Sequence, residues 1–438
     1  MTPDTGSTYW YLSSVPRKNE WPWLGLALLL RLAFALKLGS RFHQIDESGF
    51  HDFAAAVAAQ GPFHAPLAFP AAPVLFFAAF FALSGTDHLL WPRLGQALVG
   101  AFAAWATGRL TERLSGSPRA GRLALALASF YPFFVYYSEM VMSETAYLAA
   151  SVAALLLLTR CLSERGASPG RCAAAGACLG LAALCRTEAL AIGAVMLLLG
   201  LIPVARRLLP AKAWACAAAG WLCLPLLWSA RNRAVLGAWT LDEHGGITLL
   251  HGTMLLDYNE QDTSVAMAEL EKTGLWKQGQ ALAPAERNKL FTRAALEFMR
   301  EHPALTVRQW GRKFVNFWRL YPRVDKIYAE TERSHPGAGL GRFGLVAVSL
   351  LFEPWLIALG LVGLAKLARR RPLELSPAWL FLLGTMGVHM IVVSQMRYRL
   401  PVMPLLIAGA CSLIAGWLER PESSKQAADQ GQQARLDA

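Results

Sequence analysis

Long apolar stretches broken by short clusters of charge set the pattern of this chain. Stretches of the roughly 17 to 25 residues that a helix needs to cross a bilayer fall near 22–39, 93–110, 121–137, 145–160, 172–186, 189–205, 213–230, 343–366, 377–394 and 400–417. A further apolar stretch, 67–83, carries Pro66, Pro70 and Pro73 at its start and is short for a span. The pattern predicts an all-α polytopic membrane protein with about ten to eleven transmembrane helices. Composition agrees: 55% hydrophobic against 16% charged residues fits no ordinary soluble domain.

Whether 67–83 crosses decides the side of everything after it, and the charges arbitrate. If it does not cross, the loops with Arg113, Arg119 and Arg122, with Arg165 and Arg171, with Arg206, Arg207 and Lys212, and with Lys366, Arg369, Arg370 and Arg371 all share a side with Arg17 and Lys18. Cytoplasmic loops carry such an excess of Lys and Arg, so 67–83 is expected to be a re-entrant or interfacial helix, with both termini cytoplasmic. The expected organisation is an N-terminal transmembrane module, 1–230, with a first external loop at 40–92, and then an α-rich external domain, 231–341, with helix-like spacing at 284–300 and 304–320. C-terminal transmembrane helices follow at 342–418, and a Gln-, Ala- and Ser-rich tail, 419–438, is expected to be disordered. The first apolar stretch has no A-x-A-like site after it, so a cleaved signal is not expected.

The net charge of +12 is spread among these loops rather than gathered in one stripe, which argues against nucleic acid as a partner. The seven cysteines (Cys161, Cys172, Cys178, Cys185, Cys216, Cys223, Cys411) lie in or beside apolar stretches without a C-x-x-C pair and read as small core residues. Isolated His64, His88, His244, His251 and His389 show no metal-ligand spacing. Nor is there a Walker loop, a G-x-G-x-x-G, an H-E-x-x-H or a G-x-S-x-G, which disfavours an ATP-driven pump or a nicotinamide enzyme.

Ionisable residues in unusual settings collect on the expected external face. Asp46-Glu47-Ser48-Gly49-Phe50-His51-Asp52 follows the first span. These carboxylates can simply solvate a loop and cap a helix. Beside a hydrophobic wall, however, a carboxylate can serve as a general base, and Asp46 is the first candidate. A second acidic site is Ser138-Glu139-Met140-Val141-Met142-Ser143-Glu144, where Glu144 opens an apolar helix. Carboxylates at a membrane edge are costly enough to suggest function. Arg397-Tyr398-Arg399 puts two arginines in a short external turn, against the charge rule, and a guanidinium fork matches phosphate oxygens. Arg231 and Arg186 end two other spans on the same face; for all of these, ordinary headgroup contact is the plain alternative.

In order and spacing these segments resemble the bacterial branch of the GT-C membrane glycosyltransferases, the group with the protein O-mannosyltransferases (glycosyltransferase family 39) and the aminoarabinose transferase of lipid A. The resemblance runs through Asp46-x-x-x-Phe50-x-x-x-Ala54 to Gly61, Tyr131-Pro132 to Ser143-Glu144-Thr145, Pro225 to Arg231-Asn232 and Gly252, Arg293 to His302-Pro303, Lys313-Phe314 to Trp318, and Arg397-Tyr398-Arg399-Leu400-Pro401. Departures are Phe50 where the family usually has Tyr, the additional Glu139, and the lack of the larger members' C-terminal external domain. The resemblance implies a GT-C-like bundle in a bacterial inner membrane, and inverting transfer of a sugar from a polyprenyl-phosphate carrier, undecaprenyl phosphate in a bacterium, to a lipid, glycan or protein acceptor at the outer face. It implies Asp46 as base, Glu144, or else Glu47 or Glu139, orienting the acceptor or a cation, and Arg231, Arg397 and Arg399, with Arg186 and Tyr398 nearby, at the phosphate. Some families of this fold use a divalent metal ion; the missing D-x-D triad points to metal independence. The competing reading is a flippase or polymerase for lipid-linked oligosaccharides, which has no need of Asp46.

Overall fold

The computed structural model describes residues 16–63, 69–163, 167–254, 271–321 and 338–436. His64, Pro66 and Arg165, singled out above, lie outside them. The described residues contain no strand. Helices α1 (Trp21–Leu38), α2 (Ile45–Gln60), α3 (Ala71–Ser84), α4 (Leu90–Ser115), α5 (Pro118–Phe130) and α6 (Pro132–Ser138) are followed by α7 (Glu144–Ser163), α8 (Pro169–Cys185), α9 (Glu188–Leu197), α10 (Pro203–Leu208) and α11 (Ala211–Leu236). The segment beyond holds α12 (Gly245–Met254), α13 (Leu275–Gln280), α14 (Pro284–Glu301) and α15 (Pro303–Phe317). The chain ends with α16 (Ala338–Arg370), α17 (Pro372–Ile391), a 3₁₀ turn (Met396–Val402) and α18 (Met403–Leu436), which continues through the segment read as a tail.

Five segments within the described residues are long and apolar enough to cross a membrane: Trp21–Leu38, Glu144–Ser163, Ala211–Leu236, Val346–Arg370 and Met396–Glu419. Several other apolar stretches form shorter or broken helices, and proline is the reason. Pro132 cannot donate a backbone hydrogen bond, so the stretch 121–137 splits at Tyr131 into α5 and α6. Pro203 ends the helix of 189–205 in the same way, leaving α9, a short 3₁₀ turn and α10. The stretch 67–83 becomes α3, whose 14 residues give it a length of about 21 Å, short of a hydrocarbon core of about 30 Å.

The main core gathers alanine- and leucine-rich faces of α4, α5, α7, α8 and α18. Lipid-like surroundings give helices little hydrophobic reason to associate, so close backbone approach has to supply it. On α8, Gly176-x-x-x-Gly180 lies against α11: a Cβ on Gly176 would overlap the Ala217 carbonyl oxygen, and one on Gly220 of α11 would overlap that of Ala173. Gly363 and Gly409 bring α16 and α18 together similarly. Gly176→Val is therefore expected to force α8 and α11 apart at a cost of about 1–3 kcal/mol. A thermal melt of the detergent-purified protein checks this, and an unchanged transition refutes it.

Two charge clusters, one partly and one fully buried, mark the ends of α4. Near its C-terminal end Glu112 pairs with Arg17 (2.6 Å) and Arg109 (3.0 Å), and Arg109 also reaches Glu20 (3.2 Å). Near its start, Arg93 pairs with Glu47 (2.9 Å). The clusters are separated by about 28 Å of helix, close to a hydrocarbon thickness, and the second one builds the candidate site.

Candidate active site

Arg93 and Glu47 are both fully buried and between them join three chain segments. The Arg93 guanidinium donates to the carbonyls of Gly39 (2.6 Å), Arg41 (2.8 Å) and Glu139 (2.8 Å). Glu47 is the third residue of α2, and its Oε2 accepts the backbone N–H groups of His43 (2.6 Å) and Gln44 (2.9 Å). This reciprocal cap satisfies donors that a helix start leaves open. The other oxygen, Oε1, accepts Arg93 and the Val141 N–H (2.9 Å). Glu47 thus fixes where α2 begins and pins the turn 139–143 that leads into Glu144. Its own oxygens are all taken.

Asp46, one residue earlier, points elsewhere. It lines a cavity of about 1180 Å³ together with Glu144, Arg186, Glu188, His389, Arg397, Tyr398, Arg399 and Glu353. Across that cavity Arg397 Nη2 lies 2.9 Å from Asp46 Oδ2, and its Nη1 lies 3.9 Å from Glu144 Oε1. Arg186 is 3.5 Å from the same Glu144 oxygen and donates through Nε to Glu188 (2.6 Å). The Glu144 and Glu188 carboxylates thus offset the cost of burying the Arg186 guanidinium. The first external excursion of the chain and the turn before the last helix therefore meet in one place.

Three buried polar atoms of this cluster have no hydrogen-bond partner: Arg397 Nε, Arg399 Nε and Glu144 Oε2. Buried polar groups are normally satisfied, so two open donors and one open acceptor beside a cavity suit a ligand with both anionic oxygens and a hydroxyl. Arg399 is otherwise committed. It pairs with Glu353 inside the bundle and donates to the Phe317 and Arg319 carbonyls, while Tyr131 donates to the other Glu353 oxygen. Tyr398 stacks on His389 and lies next to both Arg186 and Arg397.

The remaining candidates are placed differently. Glu139 is fully buried and accepts from the Ser138 hydroxyl at 3.1 Å; burial pushes its carboxyl up to about 8. Neither it nor Glu47 lines the cavity. Arg231 also stays away from it: its guanidinium donates to the Pro62 carbonyl (2.8 Å through Nε) and to Asn232 Oδ1 (2.8 Å), stacked 4.8 Å from the Trp228 ring. Glu188, His389, Glu353, Tyr131 and Arg93 were not among the candidates. Glu353 and His389 did leave a signal, since a carboxylate and an imidazole inside apolar stretches need partners. Among the described residues, no three His, Cys, Asp or Glu side chains are grouped to hold a metal ion.

The segment beyond α11 closes over the same turn. Gly252 of α12 packs so tightly on Val392 that a Cβ there would overlap its carbonyl oxygen. Lys313 Nζ donates to the Ile391 carbonyl (2.7 Å), and the Ser394 hydroxyl donates to the Lys313 carbonyl (2.7 Å). Residues 391–395, which lead directly into Arg397, are thus held from α12 and α15.

Residues 69–228 match the family model of the dolichyl-phosphate-mannose-protein mannosyltransferases. No curated protein matches the chain in sequence. Among solved structures, the oligosaccharyltransferase of Archaeoglobus fulgidus in its apo form superposes with a TM-score of 0.51 at 13% identity, over 93% of this chain and 52% of that one. ArnT from Cupriavidus metallidurans, bound to undecaprenyl phosphate, gives 0.41 at 16% identity, over 90% and 78%. The chain spans about half the length of the oligosaccharyltransferase it matches, and at such identities the likeness concerns the fold. The chain therefore shares its fold with the Archaeoglobus fulgidus oligosaccharyltransferase, in line with the GT-C-like bundle expected from the sequence, and its residues 69–228 match the dolichyl-phosphate-mannose-protein mannosyltransferase pattern.

Proposed function

We propose that this protein is a membrane glycosyltransferase that moves a sugar from a polyprenyl-phosphate carrier to an acceptor hydroxyl, with inversion, at the outer face of a bacterial inner membrane. The observation that carries this reading is Arg397, set between Asp46 at 2.9 Å and Glu144 at 3.9 Å, with its Nε unpartnered. A phosphodiester already contains a good leaving group. The site then needs a base for the incoming hydroxyl and a cation for the charge that gathers on the departing phosphate. Undecaprenyl phosphate is the carrier of choice because it supplies such a phosphate at a bacterial membrane.

In this scheme the donor phosphate takes Arg397 as its partner, which releases Asp46 from the ion pair. Asp46 accepts the proton of the acceptor hydroxyl, whose oxygen attacks the anomeric carbon. The bond from that carbon to the phosphate oxygen breaks, and the electron pair leaves with the polyprenyl phosphate held by Arg397. Glu144 Oε2 faces the acceptor or a sugar hydroxyl. The module 1–230 and the helices of 342–418 supply these groups, and the external segment 231–341 holds the turn before Arg397.

Mass spectrometry of envelope glycans, lipids and proteins, with and without the protein, tests the reading. A difference of one sugar unit on some acceptor is expected, and identical profiles count against it. In the purified protein, Arg397→Ala is expected to weaken binding of undecaprenyl phosphate by about ten- to a hundredfold, the loss of a charge-assisted phosphate contact of roughly 1.5–3 kcal/mol. Unchanged binding removes Arg397 from the phosphate.

A further inference from the structure

Arg397, Tyr398 and Arg399 are consecutive residues of the 3₁₀ turn Met396–Val402. Such a turn has three residues per revolution, so the three side chains leave it about 120° apart. Whatever fixes the directions of two also fixes the third. Arg399 is fixed by Glu353 of α16 and by the Phe317 and Arg319 carbonyls. Tyr398 is fixed by His389 of α17: the rings are 4.5 Å apart and tilted by 9°.

His389 is itself anchored through Nδ1, with Nε2 turned toward Glu188. Its Nδ1 lies 2.9 Å from the Val393 carbonyl oxygen, which can only accept, so Nδ1 donates. Its Nε2 lies 3.5 Å from Glu188 Oε1, the oxygen that also takes Arg186 Nε. The Tyr398 ring, in turn, has the Arg186 guanidinium 4.5 Å from its centre, and its hydroxyl is 3.4 Å from Arg397 Nη2. The ring is thus held between α17, the α8–α9 junction and the turn itself. The residue of the three left facing Asp46 is Arg397.

We infer that His389 is a positioning residue, which through Tyr398 sets the rotation of the 3₁₀ turn and so aims Arg397 at the carrier phosphate. This rests on the reading of Arg397 as the phosphate ligand. It does not require His389 to touch the carrier.

The test is a double-mutant cycle on the full-length protein in detergent, with undecaprenyl phosphate as the titrated probe and the four forms wild type, His389→Ala, Arg397→Ala and the double variant. His389→Ala is expected to weaken binding about five- to tenfold, the order of one stacked ring contact. In the Arg397→Ala background it is expected to change binding less than twofold, because its route to the phosphate is gone. His389→Phe, which keeps a flat ring against Tyr398, is expected to recover most of the loss. Equal losses in both backgrounds, or none in the wild-type background, overturn the positioning role. If wild type itself shows no saturable binding, the phosphate-carrier reading falls, and this inference with it. Should His389→Ala fail to give a monodisperse protein, Glu353→Gln, which loosens the turn from the Arg399 side, enters the same cycle with the same expected non-additivity. Additivity there also counts against the inference.

Discussion

Asp46→Asn is expected to lower the rate of sugar transfer by about 10²–10⁴-fold, the contribution of a positioned general base, while leaving the fold intact and carrier binding undiminished. The side chain keeps its shape and one carbonyl oxygen, but an amide does not accept the proton of an acceptor hydroxyl. Stability should hardly change, because Asp46 is partly exposed (43% for its side chain) and exposed ion pairs contribute little. Carrier affinity should stay level or rise, since the Arg397 guanidinium, now 2.9 Å from Asp46, no longer has a carboxylate to leave when phosphate arrives. The decisive measurement is single-turnover transfer beside a binding titration on the same preparation. Turnover within a few-fold of wild type eliminates Asp46 as base.

Asp46 and Glu47 also show how far the sequence could be read. Both stand after the first apolar stretch, and composition alone treats them alike. What separates them is Arg93, 46 residues away in sequence and 2.9 Å from Glu47 in space, a pairing that no local pattern announces. The apolar stretches, the charge clusters and the proline positions fixed most helices, because each depends on neighbours in the chain. The meeting of Asp46 with Arg397 was legible as an expectation, because both were placed on one membrane face and a short arginine-rich turn there needed an anion. Arg231 satisfied the same description, yet its guanidinium caps the Pro62 carbonyl. The charge rule locates an arginine along the membrane normal but not around the bundle. Glu353 and His389, inside apolar helices, announced a need for partners but not which ones: Arg399 and Tyr131 for one, Glu188 and Tyr398 for the other, come from outside their own helices.

Glu47→Ala is expected to destabilise the protein by about 3–5 kcal/mol, the cost of leaving one member of a buried ion pair without its partner. Arg93 and Glu47 are both fully buried, so water cannot replace the lost carboxylate without opening the site. The substitution also removes the acceptor for the His43, Gln44 and Val141 N–H groups. It therefore loosens the start of α2, which carries Asp46, and the turn that leads to Glu144. Activity should fall with stability in this variant, whereas in Asp46→Asn it falls alone. Glu47→Gln keeps an acceptor oxygen and volume but not the charge, and should lie between wild type and Glu47→Ala in a thermal melt of the purified protein. A Glu47→Ala protein that melts with wild type while losing transfer would reverse the assignment, making Glu47 the chemical residue and Asp46 its neighbour. The four contacts at the two Glu47 oxygens favour Glu47 as the anchor and Asp46 as the base, because a carboxylate with both oxygens engaged has no free lone pair directed at an incoming hydroxyl.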